Sequence, residues 1–324
     1  MKDYCILGSG IAGSTIASLL AKKYSVEVFE KSRGPGGRTS NRRYTENLNF
    51  DHGAQYISPK SKKFTTFIED LKKKKVLKIW NGNHLDFKFK IKKDNEIKYI
   101  GKRGNNDICK FLLKKIKARY SSSIKKVIFK NNNWNIHINE GEILQFKNLI
   151  LSCPFPQTKI LVKKYLNKKI SNLDIRMEPN ITVMVAYKNN LNLPLSSIKF
   201  NDEILSWASN ENSKNRYNSK LNLWTLQASE KWSKKAINKY KEKKSFFINK
   251  IVNQFFKLTG FKKDKIIFSQ IHGWKYSYNL KKTNYKSFWI KKYKLGICGD
   301  WLSGPKIENA WLSANDLYLK KDND

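Results

Sequence analysis

The chain has 324 residues, with 65 Lys and Arg against 26 Asp and Glu, and a formal net charge of +39. Hydrophobic residues make up 40% and aromatic residues 13%. This composition excludes an intrinsically disordered protein, and it excludes a small domain that needs disulfides or a metal to hold its core. At about 150 residues per domain, the length predicts one large domain or two ordinary ones.

The positive charge is distributed along the whole chain. Only eight of the basic residues are Arg, so nearly all of the excess is Lys. A nucleic-acid-binding surface concentrates its basic residues in a patch or a tail, whereas a solvated lysine-rich surface does not. The distribution, including the run at 72–75, favours the solvated surface. We therefore expect no nucleic-acid partner.

The cysteines and the apolar runs indicate in which cellular compartment the protein is expected. Cys5, Cys109, Cys153 and Cys298 are far apart and form no C-x-x-C pair, which predicts buried thiols in a reducing compartment and no metal site. No apolar run reaches the roughly 18 residues of a membrane span. The first residues lack the apolar stretch and cleavage site of a signal peptide. We expect a cytoplasmic protein with no membrane partner.

The predicted elements begin with a strand at 4–7, a glycine-rich turn, a helix at 11–22 and a strand at 26–30. This order predicts a parallel pair of strands joined by a right-handed crossover. Further helices are predicted at 106–120, 234–258 and 307–319, and further strands at 126–130, 134–138, 148–152, 180–187, 221–228 and 295–298.

The first motif is Gly8-x-Gly10-x-x-Gly13, directly after a strand and at the start of a helix. Glycines at these positions permit a tight turn, a close approach of a pyrophosphate to the backbone and close helix packing. Glu30 ends the next strand, near the roughly 20-residue spacing at which an acid binds the ribose hydroxyls of adenosine. The spacing, the strands and the acid together predict a dinucleotide site rather than a simple glycine turn.

The second motif is rich in arginine. Arg33, Arg38, Arg42 and Arg43 are four of the eight arginines, and they fall within eleven positions. Where a solvated charge suffices, this chain uses Lys, so the retained Arg indicates a need for a forked guanidinium that binds phosphate. Gly36-Gly37 would let the backbone pass close to a cofactor.

The third motif, Gly296-Ile297-Cys298-Gly299-Asp300-Trp301, lies near the C-terminus. The Asp300 carboxylate at a strand end is suited to accept hydrogen bonds from a polyol chain. The N-terminus of the next predicted helix, 307–319, would oppose negative charge on a ring.

Together these motifs resemble those of the renalase-type flavoproteins, a short bacterial branch of the amine-oxidase-like flavin superfamily. The matching runs are Gly8-Ser9-Gly10-Ile11-Ala12-Gly13, residues 30–38, Asp51-His52-Gly53-Ala54-Gln55-Tyr56, Cys298-Gly299-Asp300-Trp301 and Trp311-Leu312-Ser313. Weaker matches at 149–157, 227–233 and 272–276 keep the same order, so the resemblance covers nearly the whole chain. The sequence departs from the family pattern at Gly273, where a basic residue is common, and at Asn279, where proline is.

The resemblance implies FAD as the cofactor. Arg38 would lie near the phosphates, Asp300 on the ribityl chain, and Gln55 and Tyr56 near the flavin ring, while Val127 would meet the adenine through its backbone. The full set of implied cofactor-binding residues is Gly8, Gly10, Ile11, Ala12, Gly13, Glu30, Lys31, Gly37, Arg38, Gln55, Tyr56, Val127, Gly299 and Asp300.

His272-x-Trp274-x-Tyr276 is the candidate for the substrate side of the site. Alternate residues of a strand share one face, so the three side chains would line a pocket over the flavin. A core aromatic strand with a hydrogen-bonded histidine is an equally good interpretation of the same pattern.

The resemblance implies an α/β fold in which a Rossmann-like FAD-binding domain is interleaved with an α+β substrate domain, in the topology of p-hydroxybenzoate hydroxylase and the amine oxidases. We expect the FAD-binding domain to comprise 1–75, 101–160 and 285–324. The substrate domain would comprise 76–100 and 161–284.

The activity implied by the resemblance is oxidation of the 2- and 6-dihydro isomers of NAD(P). Hydride would pass to the flavin and then to dioxygen, releasing hydrogen peroxide, so the partners would be a small dinucleotide and dioxygen. Three alternatives remain: a flavin amine oxidase or desaturase with another small substrate, a basic nucleic-acid-binding protein whose flavin site has decayed, and an FAD-binding regulatory module without turnover.

Overall fold

A computed structural model describes residues 1–92, 96–188, 195–262 and 265–323. Strands within these ranges are β1 (Lys2–Leu7), β2 (Val26–Phe29), β3 (Asn41–Thr45), β4 (Leu48–Asp51), β5 (Leu77–Ile79), β6 (Asn83–Leu85), β7 (Tyr99–Gly101), β8 (Lys117–Arg119), β9 (Ile124–Lys130), β10 (Asn133–Ile138), β11 (Ile143–Leu151), β12 (Met177–Lys188), β13 (Leu195–Lys199), β14 (Leu205–Asn210), β15 (Asn222–Ala228), β16 (Lys265–Asn279), β17 (Ser287–Ile290) and β18 (Leu295–Cys298). The α-helices are α1 (Ile11–Leu20), α2 (Lys62–Lys73), α3 (Asp107–Leu112), α4 (Phe155–Val162), α5 (Lys168–Ser171), α6 (Glu230–Ala236), α7 (Lys244–Thr259) and α8 (Ile307–Asp322).

The first sheet combines strands from both ends of the chain. Its order is β17-β18-β11-β1-β2-β8, with β9 and β10 attached to β11. The pairs of β1 with β2 and β11, of β11 with β18, and of β2 with β8 are parallel. Successive residues of β1 point to opposite faces: Tyr4 and Ile6 pack in the core below α1 and α8, and Cys5 and Leu7 pack in the core beside β10 and α4. This is the predicted Rossmann-like domain.

The second sheet is mostly antiparallel, in the order β16-β12-β15-β14-β13-β6. Helices α6 and α7 cover one face, where Val183 and Val185 of β12 meet Ile251 and Phe255. The predicted α/β fold with a second α+β domain is therefore confirmed. Strand β6, from 83–85, belongs to this sheet, and β17 and β18 belong to the first; the exact domain limits stay a prediction.

The hairpin of β3 and β4 connects the two sheets. Phe50 of β4 packs against Met184, Ala186 and Leu223 on the second sheet's other face, although the sequence places all of 1–75 in the first domain. Strand β12 is therefore buried on both faces, which explains its nearly continuous apolar run. The hairpin positions the residues that follow it, 52–56, between the two sheets.

Two predicted helices differ in kind from what the structure shows. The helix predicted at 106–120 ends at Leu112, and Lys117–Arg119 forms β8, because Arg119 pairs with the edge of β2 and its guanidinium contacts Glu27 at 2.6 Å. The helix predicted at 234–258 is two helices, α6 and α7, separated at residues 237–243.

The described residues also bear on membranes, metals and thiols. No helix in these ranges is long and apolar enough to cross a bilayer, and no group of His, Cys, Asp or Glu within them is arranged to hold a metal ion. The four cysteines are free thiols; Cys153 is half-buried and the others are buried. Burial raises the pKa of Cys109 to about 11.

Candidate functional site

The glycine-rich turn connects β1 to α1 and is packed too tightly for a side chain at Gly8 and Gly13. A Cβ at Gly13 would lie 2.0 Å from the carbonyl oxygen of Gly8. Gly10 forms a bridge with Gly36 of the arginine-rich loop. Gly8, Gly10, Ile11 and Ala12 border a large cavity, whereas Gly13 lies behind them against the end of β1. The third glycine thus serves helix packing, and the first two leave the backbone open.

Glu30 follows β2 and faces the same turn. Its carboxylate accepts hydrogen bonds from the Ser9 backbone N–H and hydroxyl, both at 3.0 Å, and from the Ser32 N–H at 2.8 Å. The side chain is buried and borders the cavity, as does Lys31. The structure therefore brings together the first motif and the acid predicted to bind ribose.

Arg38 joins the N-terminal and C-terminal motifs. One guanidinium nitrogen lies 2.5 Å from Oδ1 of Asp300, and another donates to the carbonyl of Ser277 at 2.7 Å. Gly299 precedes the acid and donates its N–H to the Ser313 hydroxyl of α8 at 2.8 Å. Gly37, Arg38, Gly299 and Asp300 all border the cavity, and so do residues 305–307 at the N-terminus of α8.

The cavity lies between the two sheets and has a volume of about 1860 Å³. Pockets for drug-sized ligands are typically about 300–1,000 Å³, so this space has room for a dinucleotide and a second molecule. Every predicted cofactor-binding residue borders it except Gly13 and Val127. Of the charged side chains that line it within the described ranges, eleven are Lys or Arg, and four are acidic.

Val127 is not brought to the cavity. It lies in β9, 2% exposed, and packs in the core with Trp134 and Phe146. Residues 122–125, just before Val127 in the sequence, border the cavity instead. The Val127 side chain therefore does not line the cavity. A contact of adenine with the Val127 backbone stays a prediction.

His272, Trp274 and Tyr276 all border the cavity, from one edge strand, β16. The imidazole of His52 stacks on Trp274 with ring centroids 5.0 Å apart, and His272 lies edge-on to both rings. The Trp274 indole donates to the carbonyl of His52 at 2.9 Å. The two histidines and the tryptophan form a continuous aromatic wall.

Both histidines of this wall are neutral. Burial and the nearby guanidinium of Arg42 lower the pKa of His272 to about 4. Burial, the neighbouring His272 and the Arg42 charge lower the pKa of His52 well below its usual range. Arg42 lies 3.2 Å from Nδ1 of His272, and a guanidinium has no acceptor, so Nδ1 accepts and the ring proton is on Nε2.

The two departures from the family pattern have structural roles. A Cβ at Gly273 would lie 2.4 Å from the ring of Tyr240, so a basic side chain does not fit there without rearrangement. The Asn279 amide donates to the carbonyl of Trp301 at 2.8 Å and thereby connects β16 to the turn after β18.

Gln55 is held by its own chain. Its amide nitrogen donates to the carbonyls of Asp51 at 2.5 Å and Gly53 at 3.0 Å, and its oxygen accepts from Nζ of Lys214 at 3.1 Å. It borders the cavity beside Tyr56. The amide therefore braces residues 51–55.

Behind Gln55 is a buried charge cluster that sequence reasoning missed, formed by Asp51, Glu211, Lys214 and Arg216. Lys214 is 1% exposed, and its Nζ lies 2.9 Å from both Asp51 and Glu211. Arg216 lies 2.5 Å from Asp51. Although burial opposes ionisation, the two cations hold the pKa of Asp51 well below its usual range, whereas burial raises the pKa of Glu211.

The sequence did contain a clue to this cluster. Arg216 is one of only eight arginines, and, as at 33–43, an Arg retained in a chain that otherwise uses Lys indicates a need for a forked guanidinium. Its guanidinium contacts Asp51, the Gly101 carbonyl at 2.9 Å and the Asn105 side chain at 2.9 Å. His52 and Arg42 were within quoted motifs, but only the fold shows that they meet β16.

Comparisons with known proteins agree with this architecture. Residues 6–71 match the model of the NAD(P)-binding Rossmann-like domain family. The chain is 29% identical to mouse (Mus musculus) renalase over 168 residues, which is 48% of each protein. The chain thus aligns with about half the length of the curated relative it matches.

Solved structures with the same fold cover nearly the whole chain. One is an Exiguobacterium sp. 255-15 protein assigned as a protoporphyrinogen oxidase, with a TM-score of 0.75, 10% identity and coverage of 99% of both chains. Another is a wild-type putrescine oxidase bound to putrescine, with a TM-score of 0.70, 10% identity and coverage of 100% of this chain and 99% of that one. The chain therefore has the fold of these two oxidases and resembles renalase across about half of its length, as its motifs predict.

Proposed function

We propose that the chain is an FAD-dependent oxidoreductase that holds its cofactor in the cavity between the two sheets. The residues fit this group. The turn at Gly8 and Gly10 leaves backbone open at the N-terminus of α1, where a pyrophosphate is favoured. The cavity continues from this turn to the aromatic wall at Trp274, so one bound molecule would span both domains.

Each end of the cavity suits a different part of FAD. The glycine turn with Gly37 would hold the pyrophosphate, and the Glu30 carboxylate would accept from the adenosine ribose. Residues 122–125 would lie near the adenine. Asp300, oriented by Arg38, would accept from the ribityl hydroxyls.

FAD bound there would accept a hydride from a reduced donor and pass its two electrons and its proton to dioxygen, which would take up a second proton from solvent and become hydrogen peroxide. The chain's own residues would orient the cofactor and the electron donor and exclude water from them. Gln55 fixes the loop beside the cavity, and α8 begins at the cavity, so its positive end would favour negative charge there. His272 is neutral and presents an N–H group at Nε2. It would therefore hydrogen-bond to the electron donor and orient it, rather than exchange protons near pH 7.

The excess positive charge of the cavity is the observation that carries the substrate assignment. Eleven basic against four acidic side chains attract an anion and repel a cation. Isomeric dihydro-NAD(P) carries a negatively charged pyrophosphate, whereas putrescine, the ligand bound in the putrescine oxidase structure, is a diamine that is cationic at neutral pH. We therefore propose the 2- and 6-dihydro forms of NAD(P) as donors and dioxygen as the acceptor.

Anaerobic mixing of purified protein with a donor panel tests this function. The panel contains the 2-, 4- and 6-dihydro isomers of NAD(P)H and putrescine. We expect the 2- and 6-dihydro isomers to bleach the visible flavin band, with one hydrogen peroxide formed per donor when air is admitted. Protein that stays colourless after FAD titration refutes the cofactor assignment, and bleaching by putrescine alone refutes the substrate assignment.

A further inference from the structure

We propose that Arg33 and Arg42 form an anion-binding subsite that holds the phosphate groups of the electron donor, separate from the glycine turn that would hold those of FAD. The subsite rests on the proposed function, since it assigns these residues to that enzyme's donor. It makes Arg42 a specificity-determining residue for phosphorylated donors.

The pairing of the arginines sets this subsite apart. Arg38, Arg119, Arg176 and Arg216 each form an ion pair with a carboxylate. Within the described parts of the chain, the other four form none: Arg33, Arg42, Arg43 and Arg103. The first three of these border the cavity. An unpaired guanidinium beside a ligand-sized space is available for a ligand anion.

We assign two of these side chains, Arg33 and Arg42, to the subsite. Arg42 contacts His272 at 3.2 Å and borders the cavity. Arg33 borders the same cavity from the loop before β3. The charges of Arg42 and Arg33 both lower the pKa of Tyr44, whose burial raises it, which agrees with this placement. Arg43 is the next residue of β3, so its side chain leaves the hairpin on the face opposite to Arg42 and is not part of the subsite.

The position is on the donor's side of the cavity. Through His272, Arg42 is attached to β16 and the aromatic wall, whereas the glycine turn and Glu30 belong to the first sheet. The N–H at Nε2 of His272 adds a neutral donor beside the guanidinium. A phosphate oxygen pair suits a forked guanidinium, and this chain, which otherwise uses Lys, retains Arg here.

Binding measurements on the FAD-loaded protein test the subsite without turnover. The probes are oxidised NADP⁺, inorganic pyrophosphate and nicotinamide riboside, which has no phosphate, each titrated by calorimetry. The variants are Arg42→Gln, Arg33→Gln and Arg42→Lys. The matched control is Arg103→Gln, since Arg103 is exposed, carries no ion pair in the described residues and lies outside the cavity.

We expect Arg42→Gln to weaken NADP⁺ and pyrophosphate binding by about 10- to 100-fold, the range of a lost charge-assisted hydrogen bond. Arg33→Gln has a smaller effect in the same direction, because this side chain is exposed. Arg42→Lys retains the charge but loses the forked guanidinium, so its affinity for NADP⁺ and pyrophosphate lies between those of Arg42→Gln and the parent protein. Riboside binding and the Arg103→Gln control change less than about twofold.

Three results overturn the subsite: unchanged pyrophosphate affinity in Arg42→Gln and Arg42→Lys, an equal loss in Arg103→Gln, or an equal loss for the riboside. Failure of the proposed function gives a different pattern. Protein that binds pyrophosphate in an Arg42-dependent way, but whose flavin no dihydronicotinamide reduces, retains the subsite and refutes the oxidase. A flavin reduced by these donors, with affinities insensitive to Arg42, refutes the subsite alone.

Discussion

Replacing Lys214 with Met is expected to destabilise the protein in a strongly pH-dependent way. The substitution removes the cation that contacts Asp51 and Glu211 at 2.9 Å. Asp51 keeps its pairing with Arg216, but Glu211 keeps only the Thr225 hydroxyl, at 2.8 Å, among its described partners. A buried carboxylate without its cation costs about 3–5 kcal/mol.

Proton uptake sets an upper limit on that cost. Protonating a carboxyl with an ordinary pKa of 4.5 requires about 1.4 kcal/mol per pH unit above that value, which is about 5 kcal/mol at pH 8 and about 1.4 kcal/mol at pH 5.5. The folded-state pKa of Glu211 is already raised by burial, and losing Lys214 raises it further. The folded state then binds the extra proton, so the variant's stability falls as pH rises.

Equilibrium urea unfolding of Lys214→Met, followed by tryptophan fluorescence at pH 5.5 and pH 8, measures this effect. We expect a loss of about 3–5 kcal/mol at pH 8 and about 1–2 kcal/mol at pH 5.5. The double variant Lys214→Met/Glu211→Gln should recover most of the loss at pH 8. The control Lys231→Met removes an exposed pairing with Glu203 and should change stability by less than about 1 kcal/mol at either pH. An equal loss at both pH values, or no recovery in the double variant, refutes the reasoning.

Three further predictions concern the glycine-rich turn and the cavity. Gly13→Ala places a Cβ 2.0 Å from the Gly8 carbonyl and should cost about 1–3 kcal/mol by urea unfolding, whereas Gly34→Ala, with open space around it, should cost almost nothing. His272 has a folded pKa of about 4 against an ordinary 6.5, so its contribution to stability is lost as pH falls through that window; His272→Gln should flatten the dependence of Tm on pH there, and an unchanged slope contradicts this. Arg38→Lys loses the fork that binds two partners and should weaken FAD retention about tenfold, measured as a flavin dissociation constant; unaltered retention contradicts the assigned role.

Local patterns sufficed for the first motif. The glycine spacing, strand β2 and Glu30 lie within 25 consecutive residues, and each requirement of a dinucleotide turn is met by short-range geometry. The C-terminal partner Asp300 was predictable for the same reason, because a carboxylate after a buried strand sits at the edge of a sheet. Its contact with Arg38 shows that the two ends of the chain meet.

Interactions between distant residues determined what the sequence patterns missed. The segment 117–119 has helix-compatible residues, yet it is a strand because the edge of β2 and the buried Glu27 provide its partners. The charge cluster behind Gln55 joins Asp51 to Lys214, 163 positions later, and no periodicity connects them. The position of 122–125 at the cavity was not predicted either, because the apolar pattern of β9 does not show which end of the strand faces the cavity.

The hairpin of β3 and β4 has a consequence for engineering. Its apolar residue Phe50 belongs to the second sheet's core, and the acid that follows it, Asp51, neutralises cations supplied by 214–216. A graft of the antiparallel sheet onto another nucleotide-binding scaffold would therefore lose two of its buried groups, the Phe50 ring and the Asp51 carboxylate. Chimaeras that preserve function should therefore take residues 41–55 and residues 177–228 from the same parent protein.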